Sequence, residues 1–258
     1  MPRDIHSTAL VHPKAKLGQD VSIGSYSIIG ENVTIGDGCR IADTVLIEGH
    51  TTLGNNNRVF HGAVIGTVCQ DLKYRGERTF VRIGDGNTIR EFATVNSATG
   101  EGQSTVIGSS VLIMAYVHLG HNCVIDDNVI LANAVNLAGH VHVHEFASIG
   151  GLTPVHQFVQ IGKHAFIGGG SRIPQDVPPF LKVAGNPARV YGLNTIGLAR
   201  RGFNAEKRAL LKKAYTILYR SGLNVTQALE RIAGELPHTD ELVMFVDFIR
   251  DSKRGIIK

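Results

Sequence analysis

Aliphatic side chains return at every sixth position of this chain. Stepping by six from Ile5 to Ile173 visits 29 positions, and all but Asp71, Glu77 and Glu101 are Ile, Leu or Val. A period of two would mark a half-buried strand and a period of about 3.6 an amphipathic helix. Six is neither. It fits a short strand followed by a tight corner, with one aliphatic per side pointing inward. Three sides make a coil of eighteen residues, so residues i and i+18 stack about 4.8 Å apart in adjoining coils. The aliphatics then form continuous columns that serve as the core. The pattern predicts a mainly β protein, a parallel β-helix over residues 1–190. The residue after each aliphatic is often Gly, Ala, Asn or Asp, and it is expected to take the corner, where a positive φ suits glycine.

Two segments break the pattern without losing its phase, residues 66–80 (GTVCQDLKYRGERTF) and 96–106 (NSATGEGQSTV). Both are predicted to leave the coil as excursions, and loops on a rigid scaffold are where binding residues concentrate. The repeat fades near Val177-Pro178-Pro179, and VAGNPARV is expected to close the last coil. Residues 191–258 change to a helical period in NTIGLARRG, AEKRALLKKAYTILYRSG, NVTQALERIAGEL and ELVMFVDFIRDSK. Asn204 and Asn224 stand where N-caps of the second and third of these helices belong. A small α-helical domain therefore follows the β-helix.

Composition narrows the class. Thirty glycines in 258 residues exceed the ordinary share of about 7%, which argues against a helical bundle. No glycine recurs every third residue, which excludes collagen. Three scattered cysteines, Cys39, Cys69 and Cys123, supply neither a disulfide framework nor a zinc knuckle. No apolar run is long enough to span a membrane and no signal-peptide pattern opens the chain, so a cytoplasmic protein without membrane insertion is expected. Of the net charge of +4, the helical tail carries the surplus: residues 195–258 hold twelve Lys/Arg against seven Asp/Glu. An acidic partner would dock there. The tail lacks aromatic interleaving and any nucleic-acid motif, so no nucleic-acid partner is expected.

The eighteen-residue coil also predicts neighbours. His121, Gly139 and Gln157 share one column; Asn122 and His140 share the next; Gly120, Ala138 and His156 share the one before. Six of the twelve histidines lie between His118 and His156. Histidine accepts a proton near neutral pH, and the Gly139 N–H one layer away is a candidate oxyanion donor. The pair suits acyl transfer from a thioester to an alcohol, which needs no Ser or Cys nucleophile. Cys123 reads as a small core residue. The rivals are a metal site and inert surface histidines. The clustered histidines lack the pair five residues apart that gamma-class carbonic anhydrases use for zinc, so no metal and no cofactor is expected. His142, His144 and His164 read as surface or packing residues.

QDLKY (70–74), LIMAYVHLGHNC (112–123), LAGHVHV (137–143), GGLTPVHQF (150–158), QDVPP (175–179), GNPARVYGLNTIGLARRGF (185–203) and AYTILYRSG (214–222) together resemble the UDP-N-acetylglucosamine O-acyltransferases, which open lipid A biosynthesis. The resemblance covers nearly the whole chain. It implies a left-handed winding, a homotrimer with active sites between neighbouring β-helices, and transfer of an (R)-3-hydroxyacyl group from acyl carrier protein to the glucosamine 3-hydroxyl of UDP-N-acetylglucosamine. It implies His121 as general base and Gly139 as oxyanion donor. Asp71, Lys73, His118, His140 and Gln157 would contact sugar and acyl group, and His156, Asn194 and Arg201 would surround the nucleotide, with Arg200 joining the basic cluster. Gly169 would limit acyl length, its missing side chain leaving room for a longer chain. Lys207, Arg208, Lys212, Lys213 and Arg220 would attract the acidic carrier protein. The chain departs from the family at Asn122, where Asp is usual, at NSATG in the second excursion, and at Ile196, where an acidic residue is usual. A related N-acyltransferase and a non-catalytic scaffold that binds nucleotide sugar or carrier protein are the alternatives.

Overall fold

A computed structural model describes residues 4–258. Residues 4–193 wind into a left-handed parallel β-helix of three sheets, whose first strands are Asp4–Ile5, Leu10–Val11 and Lys16–Leu17. Most strands are two residues long, an outward residue followed by the inward aliphatic. Away from the excursions and the last coil, each residue pairs with the one eighteen positions on, as in His118↔Asn136 and Asn136↔Pro154. At the excursions the pairing distance grows, Arg58↔Thr88 and Thr88↔Leu112, to thirty and twenty-four residues. The additions, twelve and six, are whole multiples of the period, which is why the aliphatic phase survives them.

Two inward columns fill each side. Leu119, Leu131 and Leu137 are fully buried, and so are Cys123, Val129, Val135 and Val141, the small or β-branched residues four positions after an aliphatic. The corners differ from the sequence expectation. Where a corner takes positive φ it falls on the third residue after the aliphatic, and mostly on side chains other than glycine: Tyr116, Asn122, Asn128, Ala134, His140, Phe146, Leu152 and Phe158 run in steps of six. The glycines directly after the aliphatics have another cause. A Cβ on Gly54 or Gly84 would lie 2.8 or 2.7 Å from the backbone oxygen of the next coil, so these positions are bare because the coils approach closely there.

A hairpin of Leu181–Ala184 and Arg189–Leu193 closes the first sheet. Four helices follow: α1 (Thr195–Arg200), α2 (Ala205–Arg220), α3 (Val225–Glu235) and α4 (Asp240–Asp251). Asn194, Asn204, Asn224 and Thr239 cap them, each side-chain oxygen accepting a first-turn N–H, and Asn224 with Gln227 forms a full capping box. Leu211, Ala214, Leu229, Leu242 and Phe245 build their shared core. The final residues turn back: Ile256 bridges to Asp176, and Ile257 enters the β-helix core. No helix among the described residues is long and apolar enough to cross a membrane.

Candidate active site

Gly120-His121-Asn122 forms the corner between the second and third sheets, and Ala138-Gly139-His140 stacks on it as the corresponding corner of the next coil. Asn122 sits at φ +58°, a conformation asparagine tolerates better than most residues. Its side chain explains the corner. Oδ1 lies 2.9 Å from His121 Nδ1 and accepts the Thr99 N–H at 3.0 Å, while Nδ2 donates to the Thr99 carbonyl at 3.1 Å. An amide supplies both the acceptor and the donor that the Thr99 backbone needs; a carboxylate would meet the Thr99 carbonyl as a second acceptor. With Nδ1–H held by Asn122, His121 presents the lone pair of Nε2 to the outside. Asn122, where the resemblance leads one to expect Asp, thus holds the ring through Nδ1 and also fastens the second excursion.

His121 Nε2 points at Gly139. A Cβ on Gly139 would come within 2.3 Å of that nitrogen, and a Cβ on Gly120 within 3.0 Å of the Gly139 N. Glycine at 139 therefore lets the imidazole lie against its backbone, and glycine at 120 lets the two coils approach closely. No acceptor among the described residues takes the Gly139 N–H, whereas its carbonyl accepts from Phe158 N at 3.1 Å. His140 stands edge-on to His121 at 5.0 Å and stacks on Phe158 at 4.6 Å. Burial lowers the pKa of His140, and the His121 charge lowers it further; burial also lowers that of His118. His118 Nδ1 lies 2.7 Å from Thr94 Oγ1.

The first excursion brings Asp71 to this corner. Its Oδ1 accepts the Lys73 N–H at 2.9 Å, and its Oδ2 lies 3.8 Å from His121 Nε2. Glu77 joins the excursions: it accepts from the N–H groups of Gly100 and Arg75, at 3.0 and 2.7 Å, and from Thr99 Oγ1. These donors hold its carboxyl at a pKa of about 2. Glu101 accepts from Arg78 N at 3.0 Å. All three aliphatic positions that the repeat loses are thus acidic residues that shape or join the excursions. That signal stands in the sequence, but its meaning appears only with the fold.

His156 and Gln157 continue the same corner one coil further on. Asn194, Arg200 and Arg201 lie elsewhere. With Phe146, Ser148, His164 and Ile196 they line a cleft of about 600 Å³ over the first sheet. Asn194 Nδ2 donates to the His164 carbonyl at 3.0 Å, and the Arg201 guanidinium lies 4.3 Å above the Phe146 ring. In a three-sided prism the first sheet is the side opposite the corner that carries His121. One chain therefore holds His121 apart from Asn194, Arg200 and Arg201. Gly169 is on a third location, the corner between the first and second sheets, where a Cβ would meet the Gly151 carbonyl at 3.1 Å. Cys123 is buried, its Sγ donating to the Ala138 carbonyl, and its thiol is pushed up to about 12. Sequence reasoning missed Thr99, Phe146 and Phe158, aromatic and backbone partners that no residue pattern marks.

A sequence profile for the bacterial transferase hexapeptide, six repeats long, matches residues 104–139, and one for the GMPPB C-terminal domain matches 5–99. The fold and corner geometry define a hexapeptide-repeat transferase. A profile described as domain 2 of UDP-N-acetylglucosamine O-acyltransferase matches residues 176–257. The acyl-carrier-protein–UDP-N-acetylglucosamine O-acyltransferase of Thermodesulfovibrio yellowstonii is 50% identical over 99% of both chains. That of Herminiimonas arsenicoxydans is 46% identical over 98% of this chain and 99% of its own. Among solved structures, the UDP-N-acetylglucosamine acyltransferase of Bacteroides fragilis superposes with a TM-score of 0.96 at 40% identity, over 98% of this chain and 99% of its own. The Acinetobacter baumannii enzyme gives 0.95 at 41% over the same shares. The chain belongs to the acyl-carrier-protein-dependent UDP-N-acetylglucosamine O-acyltransferase family.

Proposed function

We propose that this chain transfers an (R)-3-hydroxyacyl group from the thioester of acyl carrier protein to the 3-hydroxyl of the glucosamine of UDP-N-acetylglucosamine, opening lipid A biosynthesis in the cytoplasm. The observation that carries the reaction is His121 Nε2 lying against Gly139, whose N–H has no acceptor among the described residues. His121 Nε2 takes the hydroxyl proton as the sugar oxygen attacks the thioester carbonyl. The new C–O bond leaves an oxyanion, which the Gly139 N–H stabilises. The C–S bond then breaks, and the proton passes from His121 to the leaving thiolate. Asp71 beside Nε2 favours the transient imidazolium. Lys73, His118, His140 and Gln157 line the sugar and acyl path around this corner.

The separation of His121 from Asn194, Arg200 and Arg201 supports a homotrimer. A neighbouring copy that sets its first sheet against the second–third corner would bring the arginines, with His156, around the diphosphate, for which a guanidinium fork is suited. The chain offers a surface for such packing: Leu10 and Ile28 on the second sheet, and Tyr26, Phe92, Tyr116 and Leu152 on its corner with the first, are exposed apolar residues in one stripe. An acyl chain lying along that sheet reaches Gly169, whose bare backbone leaves room for length. Exposed Lys212, Lys213 and Arg220 on α2 suit the acidic carrier protein.

Purified protein with UDP-N-acetylglucosamine and hydroxyacyl carrier protein tests the reading. The parent should form O-acylated nucleotide sugar, and His121→Ala should lose about 10²–10⁴-fold in turnover. Nucleotide-sugar binding without transfer would instead favour a non-catalytic scaffold.

A further inference from the structure

A second histidine cluster lies on a different corner, between the third and first sheets. Asp126 follows the strand Val124–Ile125, and His144 follows His142–Val143 in the next coil. His142 stands on the outer face of the third sheet. Its Nε2 is 3.0 Å from Asp126 Oδ1, and His144 Nδ1 is 3.3 Å from Asp126 Oδ2. The two imidazoles lie 3.8 Å apart, ring centre to ring centre. One donor atom from each of the three residues falls within 4.8 Å of the others. A tetrahedral ion with bonds of about 2.0–2.1 Å has donor–donor edges of about 3.3 Å, close to the distance from each ring to its nearer carboxylate oxygen.

The side chain behind His144 points the same way. His144 Nε2 lies 3.2 Å from Gln160 Oε1. An amide oxygen only accepts, so that nitrogen carries a proton, which leaves Nδ1 as the ring's ligating position. A proton or a metal ion between Nδ1 and the facing carboxylate oxygen then joins the two. A ligating histidine whose second nitrogen donates to a fixed oxygen is the usual support of a metal site. Phe248 of α4 covers the far edge of His144.

We propose that Asp126, His142 and His144 bind one divalent transition-metal ion per chain, of the zinc, cobalt or nickel kind. Two imidazoles and one carboxylate favour these ions over magnesium or calcium, which take all-oxygen sets. The ligands come from adjoining coils, so the ion cross-links two layers of the β-helix beside α4. Asp126 and His144 also line a cavity bordered by Glu145, Lys163 and Asp247, where water fits. This site is independent of the transferase chemistry: it occupies another corner and shares no residue with the His121 cluster. The sequence argument against metal concerned a spacing of five within one stretch; here the ligands converge from i, i+16 and i+18.

The test uses full-length, chelator-treated protein titrated with Co²⁺, read by visible absorption, and with Zn²⁺ by equilibrium dialysis and elemental analysis. One ion per chain is expected, with a rise in melting temperature on Zn²⁺ addition. Asp126→Asn, which keeps shape, and His142→Gln should each weaken binding by more than about tenfold, and Gln160→Ala by about 10- to 100-fold. His121→Ala should leave it unchanged. Circular dichroism of the metal-free variants separates lost binding from lost folding. Absence of saturable binding in the parent overturns the proposal, as does binding that His121→Ala abolishes and Asp126→Asn leaves intact.

Discussion

Single residues decide the chemistry through what they leave out as much as through what they supply. Gly139 has an ordinary negative-φ backbone, so alanine fits its conformation, yet the added methyl would strike His121 Nε2. Gly139→Ala should therefore retain its circular dichroism and melting temperature while losing most of its acyl-transfer turnover; unchanged turnover would remove the close approach from the mechanism. His164 makes a different point. Buried between Phe146 and Phe180, with Lys163 and Arg201 near and Glu145 opposing them, its pKa falls from about 6.5 to about 4. The folded-state value is the lower one, so on acidification the unfolded chain takes up the proton first. Stability attributable to a neutral His164 is complete above about pH 6.5 and is lost as pH falls toward 4. Denaturant midpoints measured across this window should slope downward in the parent and less so in His164→Phe.

At the scale of elements, the two excursions are fastened to each other and to the coil by hydrogen bonds through Glu77, Asn96 and Asn122. Glu77 accepts three hydrogen bonds that join both excursions, and its carboxyl is depressed from 4.5 to about 2. The depressed value belongs to the folded state, so this fastening is present above about pH 4.5 and disappears as pH falls toward 2. Glu77→Ala should raise KM for the nucleotide sugar, because Asp71 and Lys73 lose their anchorage, and should expose residues 66–80 to proteolysis while the melting temperature changes little. In the coil itself Leu131 is fully buried, and Leu131→Ala should cost about 2–5 kcal/mol in denaturant unfolding. Asn224→Ala removes the capping box of α3 and should cost about 1 kcal/mol.

At the scale of the whole molecule, the prism geometry puts His121 on one corner and Arg200 and Arg201 over the opposite side. Under the proposed function a ring of copies, each contact joining unlike faces, would complete the site. The expected consequence is complementation. His121→Ala and Arg201→Ala proteins should each be nearly inactive, and after co-refolding at equal amounts about a quarter of the interfaces carry both intact residues in a cyclic ring. Activity near that fraction of the parent supports the shared site, and none at all places both residues in one chain's service.

The period of six set the coil, the columns and the eighteen-residue stacking, because inward packing accepts only apolar side chains and so writes itself into every turn. That stacking, read from sequence alone, already placed His121 beside Gly139. Helix caps were legible for a similar reason: Asn204 and Asn224 satisfy local N–H groups within a few residues of themselves. Where the positive φ falls in each corner was not legible, since the bare glycines answer to the coil above rather than to their own backbone. Nor were the Asn122–Thr99 and Glu77–Gly100 fastenings, or the convergence of Asp126 on His142 and His144. Those contacts join residues far apart in the chain, and only the closed winding, with its excursions folded back, fixes the distances and orientations between them.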